Sequence, residues 1–233
     1  MNLAPNTGAG TLTSAFLEEA AMARTTYLVD DDYGVRNAFR SLLELQPDQI
    51  VRDFTSGEAF LAEAESLEPG VLLLDLNMPG LSGLEVLEAL QSRHRGKFTI
   101  LILTGMGTVP RALDAMRGGV FDFIEKPCDA RSLFDSVDAA HTALARDRAA
   151  AASAVQARAR IGSLSGREHD VLIGLLQGNA NKDIAETLDI SARTVEIYRS
   201  NMMAKLKVHS LSAAIRVALV AGVTPPSRFG AST

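Results

Sequence analysis

A single cysteine, Cys128, stands in this chain of 233 residues. One thiol cannot build an internal disulfide framework, and with four scattered histidines it offers too few ligands in too loose a pattern for a structural zinc site. The chemistry of a reducing cytoplasm fits such a chain. Long apolar runs are also missing, since no stretch approaches the roughly 18 residues a membrane span requires. The N-terminus carries no basic segment followed by a continuous apolar one, which argues against a secretory signal. Positive charge is in short supply too: 23 Lys+Arg face 28 Asp+Glu, for a net charge of −5. That deficit alone would disfavour a nucleic-acid partner. What is present in quantity is apolar content, 47% of residues, enough to bury a core in one large domain or two small ones.

The charge is unevenly spread. From Thr25 to Ala130 there are 9 Lys+Arg against 17 Asp+Glu, a net of −8. From Val155 to Arg216 there are 9 against 6, a net of +3. An acidic half joined to a basic half indicates two jobs, and the basic half is where nucleic acid would bind.

Hydrophobic periodicity divides the chain further. Residues 1–23 read as a flexible extension around Asn6-Thr7-Gly8-Ala9-Gly10, with Met22 an alternative start. Apolar strands are expected at Tyr27–Val29, Ile50–Phe54, Val71–Leu74, Phe98–Leu103 and Phe121–Glu125. Helices are expected near Val35–Leu43, Glu58–Leu67, Leu84–Leu90 and Val109–Met116, and again from Ala130. Five strands alternating with helices imply an α/β fold, a doubly wound parallel sheet. Between Asp129 and Ile161 there is neither Gly nor Pro, so one continuous helix is possible, as is a short domain helix followed by a frayed linker. From Leu164 the pattern is all-helical, with four apolar faces, until Thr224-Pro225-Pro226. The expected domains are residues 24–145, a helical Ala/Arg-rich linker at 146–162, an all-α domain at 163–223 and a disordered tail at 224–233.

The polar residues of the first domain fall at strand ends: Asp30-Asp31 after the first strand, Asp75 after the third, Thr104 after the fourth and Lys126-Pro127 after the fifth. In a doubly wound sheet these ends converge on one edge. Three carboxylates there repel one another unless a cation sits among them, and oxygen ligands with several waters are what Mg²⁺ prefers. A carboxylate in that setting can act as nucleophile toward a phosphoryl donor. Lys126 and Thr104 supply a charge and a hydroxyl for the phosphoryl oxygens. Lys-Pro suggests a cis peptide. Asp32 reads as a helix cap for the segment at Tyr33.

The stretches Val29-Asp30-Asp31-Asp32, Leu74-Asp75-Leu76-Asn77-Met78-Pro79-Gly80, Leu103-Thr104-Gly105 and Glu125-Lys126-Pro127, taken as a set, resemble a response-regulator receiver domain over roughly Thr25 to Ala145. The resemblance implies a flavodoxin-like five-stranded fold with Asp75 as phosphoacceptor. It further implies Asp30 and Asp31 as the acidic pair, Asp31 being the direct Mg²⁺ ligand, and the Asn77 main-chain carbonyl as a further ligand. Thr104 and Lys126 would contact the phosphoryl group, and Phe123 would be the aromatic switch residue. Cys128 departs from the large apolar residue common after Lys-Pro.

In the second domain, Ser165 reads as a helix N-cap. Gly178-Asn179-Ala180-Asn181-Lys182 is a turn into a short helix, and Ser191 caps another, which is the pattern of a helix-turn-helix. Leu164 to Val220 resembles the LuxR-type helix-turn-helix, and the whole chain resembles a NarL/FixJ-type regulator, with Gly107-Thr108-Val109-Pro110 leaning toward the FixJ-like branch. The resemblance implies groove-facing positions within Thr194–Asn201. Glu196, Ile197 and Ser200 are expected near bases, and Lys182, Arg193, Arg199, Lys205 and Lys207 at DNA or phosphate. Glu196 either accepts from a cytosine amino group or pairs with Arg193 or Arg199. Met202, Met203 and Leu206 are expected in the core.

The expected partners are a sensor histidine kinase, double-stranded promoter DNA, a second copy of the chain on activation, and RNA polymerase, with no membrane. The surface from Thr108 to Ala130 is the expected dimer interface. Two other classes stay open at this stage. One is a Mg²⁺-dependent phosphotransfer enzyme with an aspartyl intermediate, disfavoured by Asn77 and short loops. The other is a constitutive DNA binder whose receiver answers to a protein partner.

Overall fold

In the computed structural model of the protein, residues 24–105 and 119–224 are described. The expected extension at 1–23, the helix at Val109–Met116 with the Gly107–Pro110 segment, and the tail beyond Thr224 lie outside the described residues. The chain divides into two compact units, Met1–Asp147 and Arg148–Thr233.

The first unit holds five strands: β1 (Arg24–Val29), β2 (Gln49–Phe54), β3 (Gly70–Asp75), β4 (Phe98–Gly105) and β5 (Asp122–Lys126). All pair in parallel, in the order β2-β1-β3-β4-β5. This is the expected five-stranded doubly wound sheet. β3 is central, and all six of its residues are buried. Its side chains divide by parity: Leu72 and Leu74 join one core cluster with Tyr27, Phe60, Val86 and Phe98, while Val71 and Leu73 join another with Phe39, Leu101, Leu133 and Val137. A strand covered on both faces gains from every side chain, about 1.5–3 kcal/mol for each fully buried Leu or Val.

The helices of this unit are α1 (Tyr33–Leu43), α2 (Gly57–Glu63), α3 (Gly83–Arg93) and the start of α4 (Ala130–Gly162). Their starts follow from capping chemistry. Asp32 accepts from the amides of Gly34 (2.7 Å) and Val35 (3.2 Å), as expected. Ser82 and Glu85 form a reciprocal capping box. α2 ends at Glu63, short of the expected Leu67. The chain turns there, with the Ser66 amide and hydroxyl both bonded to the Glu63 carbonyl, while Leu67 still reaches the core.

α4 resolves the open alternative between Asp129 and Ile161: it is one continuous helix of 33 residues. Its later part is not a bare linker, because Ala157 is buried and Ile161 packs on the core of the second unit. That unit adds α5 (Gly166–Leu176), α6 (Asn181–Leu188), α7 (Ala192–Leu206) and α8 (Leu211–Val220). Val171, Leu172, Ile184, Val195, Met202, Leu206, Ala214 and Ala218 form its core, with Met203 packed against it. Gly174 is required by close approach, since a Cβ there would lie 2.7 Å from the Ile184 side chain.

Two expectations follow. Gly83 at the start of α3 presses against β3, where an added Cβ would stand 2.2 Å from the Asp75 carbonyl oxygen. Gly83→Ala should therefore destabilise the first unit by about 1–3 kcal/mol in chemical denaturation. His141 is half-buried beside Thr26 (2.9 Å) and Gln49. Burial and then the Arg24 charge, against the opposing pull of Asp138, hold its pKa down to about 4. The fold thus favours neutral imidazole, while the unfolded chain takes up a proton near the ordinary value of about 6.5. Stability is complete above that value and is lost as pH falls toward 4. Thermal unfolding of the wild type should drop more steeply from pH 7 to pH 5 than that of His141→Gln, and parallel curves would refute the assignment.

Candidate functional site: an acidic pocket and an exposed helix

β1 and β3 are neighbours, yet the chain leaves β1 toward β2 on one side and returns through β3 on the other. Ligands of open α/β sheets bind beyond the carboxyl ends of strands where the winding reverses in this way. Asp30 follows β1 and Asp75 ends β3, so both lie at that point. Asp30 is 1% exposed and Asp75 4%. Burying two carboxylates side by side is costly without a counter-charge. Lys126, at the end of β5, supplies it: Nζ donates to Asp75 Oδ1 at 2.6 Å and to Asp30 Oδ2 at 2.9 Å. The other oxygens accept main-chain amides, Asp30 Oδ1 from Asp32 and Asp75 Oδ2 from Asn77, each at 2.8 Å.

These surroundings set the ionisation. Burial raises the Asp30 carboxyl above its ordinary value, with the Lys126 and Asp32 hydrogen bonds pulling the other way. Burial also works against the Lys126 charge, but the bonds and charges of Asp75 and Asp30 outweigh it and hold the ammonium above the usual lysine range. Thr104 is 1% exposed at the end of β4, its hydroxyl donating to the Gly105 carbonyl at 3.3 Å. Lys126-Pro127 is cis, as expected. Phe123 on β5 is exposed.

The structure therefore brings Asp30, Asp75 and Lys126 into direct contact and sets Thr104 at the neighbouring strand end. It leaves Asp31 exposed. Among the described residues, no three His, Cys, Asp or Glu side chains are grouped to hold a metal by themselves. The donor set still suits a hard cation that keeps waters: carboxylate oxygens with lone pairs beyond their single bonds, and an exposed main-chain segment at Asn77.

Sequence reasoning missed the residues that hold the loops of this pocket. Arg36 is buried, and its guanidinium donates to the carbonyls of Asp30 and Asp31. Glu58 accepts the Leu81 amide at 2.7 Å and ties down the loop after Asp75. No local pattern announces either contact, because both partners are main-chain atoms set by the tertiary fold.

In the second unit α6 ends at Asp189 in the left-handed region, a short turn follows, and Ser191 caps α7 through the Thr194 amide at 3.1 Å. On α7, Arg193, Glu196, Ile197 and Ser200 are exposed, and Thr194 is half-buried. Ile197 is 54% exposed, an unpartnered aliphatic side chain among polar ones. Among the described residues Glu196 pairs with neither Arg193 nor Arg199; Arg199 instead donates to Asn181 at 3.3 Å. Lys182 is exposed at the start of α6, within 4.0 Å of Glu186. Lys205 is bound to the buried Glu168 at 2.6 Å, and this contact holds the Glu168 carboxyl below its usual range. Glu168 thus serves both the Ser165 capping box and a tie between α5 and α7, which the sequence did not disclose.

The model of the response regulator receiver domain matches residues 27–138, and that of the bacterial regulatory proteins of the luxR family matches residues 162–218. The transcriptional regulatory protein FixJ of Azorhizobium caulinodans is 41% identical over 85% of this chain and 93% of its own. That of Rhizobium meliloti strain 1021 is 40% identical over 86% and 98%. Among solved structures, full-length FixJ from B. japonicum is similar with a TM-score of 0.55 at 38% identity, covering 86% of this chain and 98% of that one. The response regulator StyR is similar with a TM-score of 0.73 at 34% identity, covering 85% and 99%. Receiver domains generally bind Mg²⁺ for phosphorylation and answer to a sensor kinase, and LuxR-type domains bind DNA. Among the described residues no helix is long and apolar enough to cross a membrane. The chain belongs to the NarL/FixJ-type two-component response regulators, transcriptional regulators that join a receiver domain to a LuxR-type helix-turn-helix.

Proposed function

We propose that a sensor histidine kinase phosphorylates Asp75 and that this modification controls dimerisation and sequence-specific promoter binding. The observation that supports it most is the buried Asp75 carboxylate with the Lys126 ammonium 2.6 Å from one oxygen. An Asp75 oxygen attacks the phosphorus, the bond to the donor's imidazole nitrogen breaks, and an acyl phosphate forms on Asp75. Lys126 exchanges part of its bond to Asp75 for the phosphoryl oxygens, and the Thr104 hydroxyl turns toward them. Mg²⁺, held by Asp30, Asp31, Asp75 and the Asn77 carbonyl, would neutralise charge on the phosphoryl group. Thr104 drawn inward vacates space for Phe123, whose exposed ring then packs inside and alters the neighbouring surface. The altered surface joins two copies, and two α7 helices meet half-sites about one helical turn apart. RNA polymerase is the further partner at the promoter. The protein is a phosphoacceptor in this scheme and not a turnover enzyme, and it acts in the cytoplasm.

On DNA, α7 enters the major groove with Thr194, Glu196, Ile197 and Ser200 toward base edges and Arg193 and Arg199 toward phosphates. Lys182 reaches the backbone from α6. Lys205 does so only by giving up part of its bond to Glu168, so its share is smaller.

Acetyl phosphate with Mg²⁺ should label the wild type once and leave Asp75→Asn unlabelled, and light scattering should show labelled wild type becoming a dimer. An Asp75→Asn variant that binds a promoter as tightly as labelled wild type would sink the switching scheme. On naked operator, Lys182→Ala and Arg193→Ala should weaken binding to all sequences alike and lower the salt slope by about one each. Glu196→Ala should instead relax preference at one base position by about 1–3 kcal/mol in a competition assay.

A further inference from the structure

The loop that carries Asp30 and Asp31 is gripped from below by a side chain on α1. Arg36 is 7% exposed, so its guanidinium sits inside the protein. Nη1 donates to the Asp30 carbonyl at 2.8 Å and to the Asp31 carbonyl at 3.0 Å. Nε faces Asp53 Oδ2 at 3.4 Å, near the end of β2, and the Tyr33 ring lies over the guanidinium with its centroid 5.9 Å away. Asp53 also accepts from Arg40, one turn further along α1.

One peptide unit shows what this does. The carbonyl of Asp31 and the amide of Asp32 belong to the same planar group and point in opposite directions. Arg36 holds the carbonyl, and Asp30 Oδ1 accepts the amide at 2.8 Å. The peptide is thus fixed from both sides, and the Asp30 carboxylate is latched by the face turned away from Arg36. A free carboxylate pair on a loop would sample many directions and lose that freedom on binding a cation. Arg36 removes the freedom in advance, as the outer partners of a metal site do for its ligands. Its charge would repel a cation, but Asp53 offsets it.

Resting on the reading of Asp30 and Asp31 as cation ligands, we propose that Arg36, with Asp53 as its counter-ion, is a positioning residue for the acidic pair. It sets Mg²⁺ affinity without touching the phosphoryl group. Lysine in its place offers a compact ammonium that cannot span two carbonyls and a carboxylate in the same plane. Asparagine in place of Asp53 leaves the carbonyl contacts but removes the counter-charge.

The test is calorimetric titration of the full chain with MgCl₂, paired with Asp75 labelling by acetyl phosphate across Mg²⁺ concentrations. Arg36→Lys should weaken Mg²⁺ binding about tenfold, with labelling restored to the wild-type maximum at high Mg²⁺. Asp53→Asn should weaken it about threefold, and the deficit should shrink as ionic strength rises. Arg40→Gln, which removes the other partner of Asp53 and touches neither carbonyl, should not weaken Mg²⁺ binding. If Arg36→Lys does not fold, Asp53→Asn and its salt dependence decide the matter. Folded variants that bind Mg²⁺ as tightly as wild type overturn the positioning role while the ligand assignment stands. A wild type that neither takes up Mg²⁺ nor labels at Asp75 overturns the ligand assignment itself, and the positioning role with it.

Discussion

The ammonium of Lys126 between two buried carboxylates is the contact on which the acidic pocket depends. Asp30 and Asp75 come from separate strands, and Lys126 from a third. Without a positive group among them, one carboxylate would take up a proton or the strand ends would part. With it, the two carboxylates are held by hydrogen bonds at the place where the winding of the sheet reverses. The pocket is therefore consistent with the fold around it. Parallel pairing brings the neighbouring strand ends side by side, and the wholly buried β3 stands at the centre of that edge.

A second layer of the pocket is made of main-chain atoms. Arg36 holds the carbonyls after β1, Glu58 holds the amide of Leu81 after β3, and Gly83 lets α3 start against the Asp75 carbonyl. Arg36 and Glu58 fix main-chain groups of the loops that follow β1 and β3, and Gly83 allows the close approach that a side chain would block.

The helical unit divides its labour differently. Its apolar face is spent on a small core, and what remains on α7 is a row of exposed polar residues with Ile197 among them. An exposed isoleucine flanked by polar groups gains nothing from burial in the unit's own core. Glu168 shows the opposite economy: one carboxylate caps α5 and anchors Lys205 of α7 together.

The strands and the helix starts were legible in the sequence, because both rest on local physics. A run such as Val71-Leu72-Leu73-Leu74 has one stable use in a chain of this size, and Asp32, Ser165 and Ser191 cap helices through amides two or three residues away. The acids, the threonine and the lysine at strand ends were legible for the same reason, since an alternating parallel fold carries every strand end to one edge. Several things were decided only in the tertiary structure. Lys126 bridges Asp30 and Asp75, Arg36 turns inward, Lys205 is tied to Glu168, and α4 continues unbroken while its later turns pack on the helical core. Each of these joins residues far apart in the chain, or sets a side chain against a carbonyl, and neither leaves a periodicity or a spacing that the order of residues alone records.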